Sequence, residues 1–151
     1  MSNNTDDLAQ NIIYVIPQIM RILAAELRRS GHLMTPGNFQ VMFNLTDGPA
    51  NLSELAETQN VSLPTMSRSV RRLEEIGWIS RGSDPHDRRV TIFALTEDGQ
   101  KRLKEMSDHA QETLRDLMHS LTGAELEALS AGLAVMRKTF NLNDFGEDFE
   151  C

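Results

Sequence analysis

The sequence predicts a mainly α-helical chain carrying one small β-hairpin. Three observations predict it. Apolar residues recur at spacings of three and four through most of the 151 residues. The period shortens to two just after Gly77, and capping or turn residues stand at each change.

Residues 8–30 read as a helix. Leu8, Ile12, Val15, Ile16, Ile19, Ile22, Leu23 and Leu27 form its apolar stripe, with Ile13 and Tyr14 alongside. Pro17 either kinks this helix or starts a second segment, and the sequence leaves both open. Gly31 ends it. Thr35 caps a second helix with Pro36 in its first turn, and Phe39, Val41, Met42 and Leu45 give it an apolar side. Asp47-Gly48-Pro49 is a turn. Asn51 and Glu54 have capping-box spacing at the start of a short third helix, whose Leu52, Leu55 and Ala56 face inward.

After a tight connection, Ser62 caps a fourth helix with Pro64 in its first turn. Leu63, Met66, Val70, Leu73 and Ile76 are its buried stripe. Ser62, Thr65, Ser67, Arg68, Ser69, Arg71 and Arg72 fill the other faces, and Gly77 closes the helix.

Residues 78–81 and 90–95 alternate as strands, joined by the polar loop GSDPHDRR with its Asp84-Pro85 turn. Thr96 caps a fifth helix with the stripe Leu103, Met106, Ala110, Leu114 and Leu117. Thr122 and Glu125 form a second capping box before the stripe Leu129, Leu133, Met136 and Phe140, with Leu121 placed to staple Leu126. These last two stripes suit packing on each other as well as they suit a second chain.

Composition bounds the function. The net charge of −7 argues against a non-specific nucleic-acid coat, yet the distribution is uneven. Residues 62–73 hold three arginines and no acid, and Arg81, Arg88 and Arg89 follow, while acids gather at both ends and between Glu97 and Asp116. Cys151 is the only cysteine, which excludes a disulfide framework within the chain and a clustered-cysteine zinc site. It sits beside Glu150 at the acidic end, a poor setting for a low-pKa redox sensor. His32, His86, His109 and His119 are dispersed, so no metal is expected, and no cofactor. No unbroken apolar run suits a bilayer, and the acidic first residues do not read as a secretory signal. No phosphate loop, HExxH or nucleophile elbow is present, so the chain does not read as an enzyme. The expectation is a reducing, cytoplasmic setting without a membrane.

A short helix, a tight turn and a helix with an arginine-bearing face make a helix-turn-helix, and the hairpin behind it makes a wing. The helix over 62–76 has the dimensions to enter a major groove of double-stranded DNA. Thr65, Ser67, Arg68 and Ser69, with the cap Ser62, lie where base edges would be. Arg71 and Arg72 lie further along and suit phosphates, though which arginine reads a base stays open. At the hairpin tip, Arg88 and Arg89 suit the negative potential of a narrow minor groove, while Asp87, repelled by phosphate, suits orienting an arginine.

Those residues carry a resemblance. LSELAETQNVSLPTMSRSVRRLEEIGWISR followed by GSDPHDRRVTIFALTEDGQ resembles the MarR family of winged helix-turn-helix regulators. The second stretch is the more specific: Asp87 and Arg89 form a DxR element, preceded by Asp84-Pro85 and followed by Leu95-Thr96 and Gly99. Residues 12–45 match only in pattern. The resemblance implies a homodimer, with residues 1–34 and 100–151 as dimerisation regions around a DNA-binding lobe over 35–99. It implies Arg89 at the minor groove with Asp87 as its support. It also implies a ligand-responsive repressor on a palindromic operator, controlled by a small aromatic or phenolic effector. Tyr14, Arg21, His32, Met34, Phe39 and Met42 are the candidates to line an effector pocket. The alternative function is a winged-helix scaffold that binds protein without reading DNA.

Overall fold

The structure is a computed structural model that describes residues 3–29, 31 and 35–142. Its elements are α1 (Asn3–Arg29), α2 (Pro36–Asn44), a 3-10 turn (Leu45–Asp47), β1 (Ala50–Asn51), α3 (Leu52–Thr58), α4 (Leu63–Glu75), β2 (Ile79–Ser83), β3 (Thr91–Leu95), α5 (Glu97–Met118) and α6 (Gly123–Thr139). The fold class is as the sequence predicts. His32, Met34, Cys151 and the acidic end of the chain lie outside the described residues.

Two compact units divide the chain, the first ending at Thr113 and the second beginning at Leu114. In the first, α1 runs continuously with Pro17 inside it, so no second segment starts there. Ala24 and Leu27 are buried, but Leu8, Ile13, Tyr14, Val15, Ile19 and Ile22 are exposed. By length and composition α1 is apolar enough for a bilayer span, with a mean hydropathy of 1.3. No unbroken apolar run marks it in the sequence, because polar residues such as Gln18 and Arg21 interrupt the stretch without lowering its average enough.

The core of the first unit sits under the central helices. Val41, Met42 and Leu45 meet Leu55 and Ala56 of α3, Met66, Val70 and Leu73 of α4, Ile79 and Phe93 of the sheet, and Leu103 and Met106 of α5 as its buried apolar set. Local signals place these helices. The Thr35 hydroxyl accepts from the Asn38 N–H, and Asn51 and Glu54 complete a reciprocal capping box. Two departures concern α4. Leu63 and Ile76, expected in the buried stripe, are 50% and 47% exposed. They are the first helical residue and the C-cap, where the stripe runs out past the core.

The sheet has three strands, in the order β1-β3-β2, not two. Two residues suffice for β1, which pairs Ala50 with Phe93 and Asn51 with Ile92. A strand so short carries no alternation to detect. Gly99 matters here for its lack of a side chain: a Cβ would stand 1.9 Å from the Trp78 carbonyl oxygen. The Thr96 hydroxyl donates to the Gly77 carbonyl at 2.7 Å and accepts from the Gly99 N–H at 3.0 Å, drawing the start of α5 onto the end of α4.

In the second unit, Thr122 and Glu125 form the expected capping box of α6. None of its helical side chains is buried, and Leu126, Leu129, Leu133, Val135 and Phe140 are exposed.

Candidate nucleic-acid interface

The turn between α3 and α4 is built by backbone geometry. Asn60 adopts a left-handed conformation, its N–H reaching the Glu57 carbonyl and the next N–H, of Val61, reaching that of Ala56. This 6→1 and 5→2 pair closes a helix with one left-handed residue. Gly77 ends α4 in the same way, with bonds from Gly77 to Glu74 and from Trp78 to Leu73. Two such stops hold α4 between the turn and the wing.

At the start of α4 the Ser62 hydroxyl accepts from the Thr65 N–H at 3.4 Å and lies 2.9 Å from the Thr65 hydroxyl. Ser62, Thr65, Ser67 and Arg68 are exposed and Ser69 is half-buried, so the proposed reading surface is open to a partner. Half-exposed Leu63 joins it, a residue the sequence pattern assigned to the core.

The arginines divide into held and unheld groups. Arg71 Nε donates to Glu75 at 2.9 Å. Arg81 donates through Nε and Nη2 to both carboxylate oxygens of Glu74, at 3.1 and 2.9 Å, and lies over the Phe93 ring. The basic face expected from Arg68 to Arg89 is therefore interrupted, because acids in the last turn of α4 match two of its charges. Arg68, Arg72 and Arg88 hold no carboxylate among the described residues.

The wing tip is ordered by two aspartates. Asp84 accepts from the backbone N–H groups of His86, at 2.7 Å, and Asp87, at 3.1 Å. These bonds, the His86 one first, hold its carboxyl below the usual aspartate range. Backbone bonds from Asp84 to Val90 and from Val90 to Asp87 close the loop. Asp87 in turn accepts from the Arg89 backbone N–H and from its Nε, while the Arg89 side chain stays 92% exposed.

The effector candidates are not brought together in this way. Tyr14 is 72% exposed and lines a shallow hollow with Asp7, Gln10 and Asn11 along α1. Arg21 is exposed and Phe39 half-buried. Met42 is wholly buried, so it belongs to the core and offers no surface to a ligand in this arrangement. Among the described residues, no group of three or more His, Cys, Asp or Glu side chains is placed to hold a metal ion.

The model of the MarR family matches residues 34–91. The uncharacterized HTH-type transcriptional regulator YxaD of Bacillus subtilis (strain 168) is 34% identical over 93 residues, which are 62% of this chain and 65% of that protein. The chain thus spans slightly under two thirds of that relative. The crystal structure of RV1404 from Mycobacterium tuberculosis has a TM-score of 0.82 at 22% identity, over 93% of this chain and 97% of that one, a likeness of fold. A mutant MarR from E. coli, solved in complex with operator DNA, has a TM-score of 0.69 at 25% identity, over 89% of this chain and 96% of that one.

Proposed function

We propose that this chain, whose residues 34–91 match the model of the MarR family, is a transcriptional regulator that binds a roughly palindromic operator in double-stranded DNA as a homodimer. The observation that carries this is the wing tip, where Asp87 aims an otherwise exposed Arg89 outward behind the open face of α4. An oriented guanidinium suits the minor groove, and a helix lined by small hydroxyl residues and Arg68 suits the major groove beside it. The operator complex of the E. coli relative supports the same pairing of fold and ligand.

One such lobe reads only a few base pairs. Two, about 34 Å apart, meet successive major grooves on one face of the duplex. The exposed apolar faces of α1 and α6 support the second copy. For α1 the occupant we assign is that copy and not a bilayer. The N-terminal region to residue 34 and the region from residue 100 then supply dimerisation, and residues 35–99 supply DNA binding. Repression, release by a small aromatic or phenolic effector and a cytoplasmic setting complete the reading. The first two rest on the family resemblance alone.

The test is a titration of the full chain against the DNA upstream of its own gene and against duplexes selected from a random pool, at several salt concentrations. Tight, salt-sensitive binding to an inverted repeat is expected. Absence of salt-sensitive binding to any selected duplex would favour the protein-binding scaffold.

A further inference from the structure

We propose that Arg81 is a positioning residue: held between Glu74 and Phe93, it fixes the wing against α4 and does not itself bind DNA. The inference rests on the DNA-binding reading above and adds to it how the two reading elements keep their spacing.

Three elements meet at this side chain. Arg81 lies on β2, directly across from Phe93 on β3. Its guanidinium carbon stands 5.4 Å from the centroid of the Phe93 ring. The same guanidinium grips both oxygens of Glu74, in the last turn of α4, at 3.1 and 2.9 Å. A planar fork on a carboxylate fixes direction as well as distance, which a lysine ammonium does not. The side chains of Arg81 and Glu74 are 55% and 32% exposed, so the pair is screened and adds little to global stability. Its value is geometric.

The lever is long enough for that to count. Strands rise about 3.3 Å per residue, so the Asp87–Arg89 tip lies on the order of 10–15 Å beyond Arg81. A swing of about 10° at the base moves the tip by ~2–3 Å, close to the length of a whole hydrogen bond. A phosphate approaching Arg81 would also have to displace a carboxylate already in place.

Simple electrostatics and positioning make opposite predictions for Glu74→Gln. The change removes an acid from a DNA-binding face, so charge alone predicts tighter binding. Positioning predicts weaker operator binding, by about tenfold, with affinity for a scrambled duplex of equal length unchanged or raised. Arg81→Ala and Arg81→Lys should show the same operator loss. The slope of log affinity against log salt should stay at the wild-type value. The reversed pair, Glu74→Arg with Arg81→Glu, should recover part of the loss. Circular dichroism monitors the fold, and if Arg81→Ala does not fold, the near-isosteric Glu74→Gln decides. Tighter or unchanged operator binding by Glu74→Gln overturns the proposal. So does an Arg81→Ala loss that is equal on operator and scrambled DNA with the slope reduced by about one, the mark of a phosphate contact. A wild-type protein that binds no selected duplex would instead overturn the DNA-binding reading beneath it.

Discussion

The carboxylate of Asp87 accepts from both the backbone N–H and the Nε of Arg89, at 3.0 and 3.3 Å. One acid thus holds both the backbone and the guanidinium Nε of Arg89. Arg89→Ala should lower operator affinity by roughly 10- to 100-fold and reduce the salt slope by about one, with the fold unchanged. Asp87→Ala should cost less and leave the slope alone, because the cation remains and only its aim is lost. Anisotropy titrations at fixed and varied salt measure both. Wild-type affinity in Arg89→Ala would remove the wing from the interface.

Acidification should loosen the wing tip. Asp84 is held below its ordinary value by the N–H groups of His86 and Asp87. A depressed carboxyl contributes its stabilisation fully above the unfolded value and loses it as the pH falls through the folded one. The Asp84 side-chain carboxyl carbon should therefore titrate below the usual aspartate range. At neutral pH, Asp84→Ala should already shift the amide resonances of His86 and Asp87, which lose their acceptor. Titration of the Asp84 carboxyl carbon at the ordinary aspartate value would contradict the turn.

Gly99→Ala should destabilise the first unit by about 2–3 kcal/mol, since its Cβ would fall on a backbone oxygen that has no rotamer to escape into. Urea unfolding followed by Trp78 fluorescence reads this directly. A change below about 0.5 kcal/mol would mean that α5 shifts freely against Trp78.

Charge placed on the exposed apolar faces should separate the proposed dimer. Ile13→Asp on α1 and Leu133→Asp on α6 replace side chains that are 72% and 53% exposed. Each should leave the helical circular dichroism intact, shift sedimentation toward the monomer at roughly micromolar protein, and weaken operator binding with it. Dimer mass in both variants would place the interface elsewhere.

Much of this was legible in the sequence because it is local. Thr35, Asn51, Ser62, Thr96 and Thr122 announce helix starts through their own side chains, and all five accept the expected N–H bond. The DxR geometry is equally local, with a single residue between Asp87 and Arg89. What was not legible depends on residues distant in sequence. Nothing near Arg81 says that Glu74 will neutralise it, since that contact follows from the reversal at Gly77. The pairing of Asn51 with Ile92 crosses three intervening elements. Met42 was a reasonable pocket candidate by type, yet it is wholly buried where α2 packs against α4.

The matched charges of the lobe proposed to face DNA also bear on how such a protein would find its target in a chromosome. Of the six arginines from Arg68 to Arg89, three already hold a carboxylate, and the whole chain carries −7. Few counterions would be released on random DNA, so each non-specific encounter would be brief. One-dimensional sliding runs would then be short, and the search would proceed by frequent hops through solution, leaving the protein largely off the chromosome until it meets its own site.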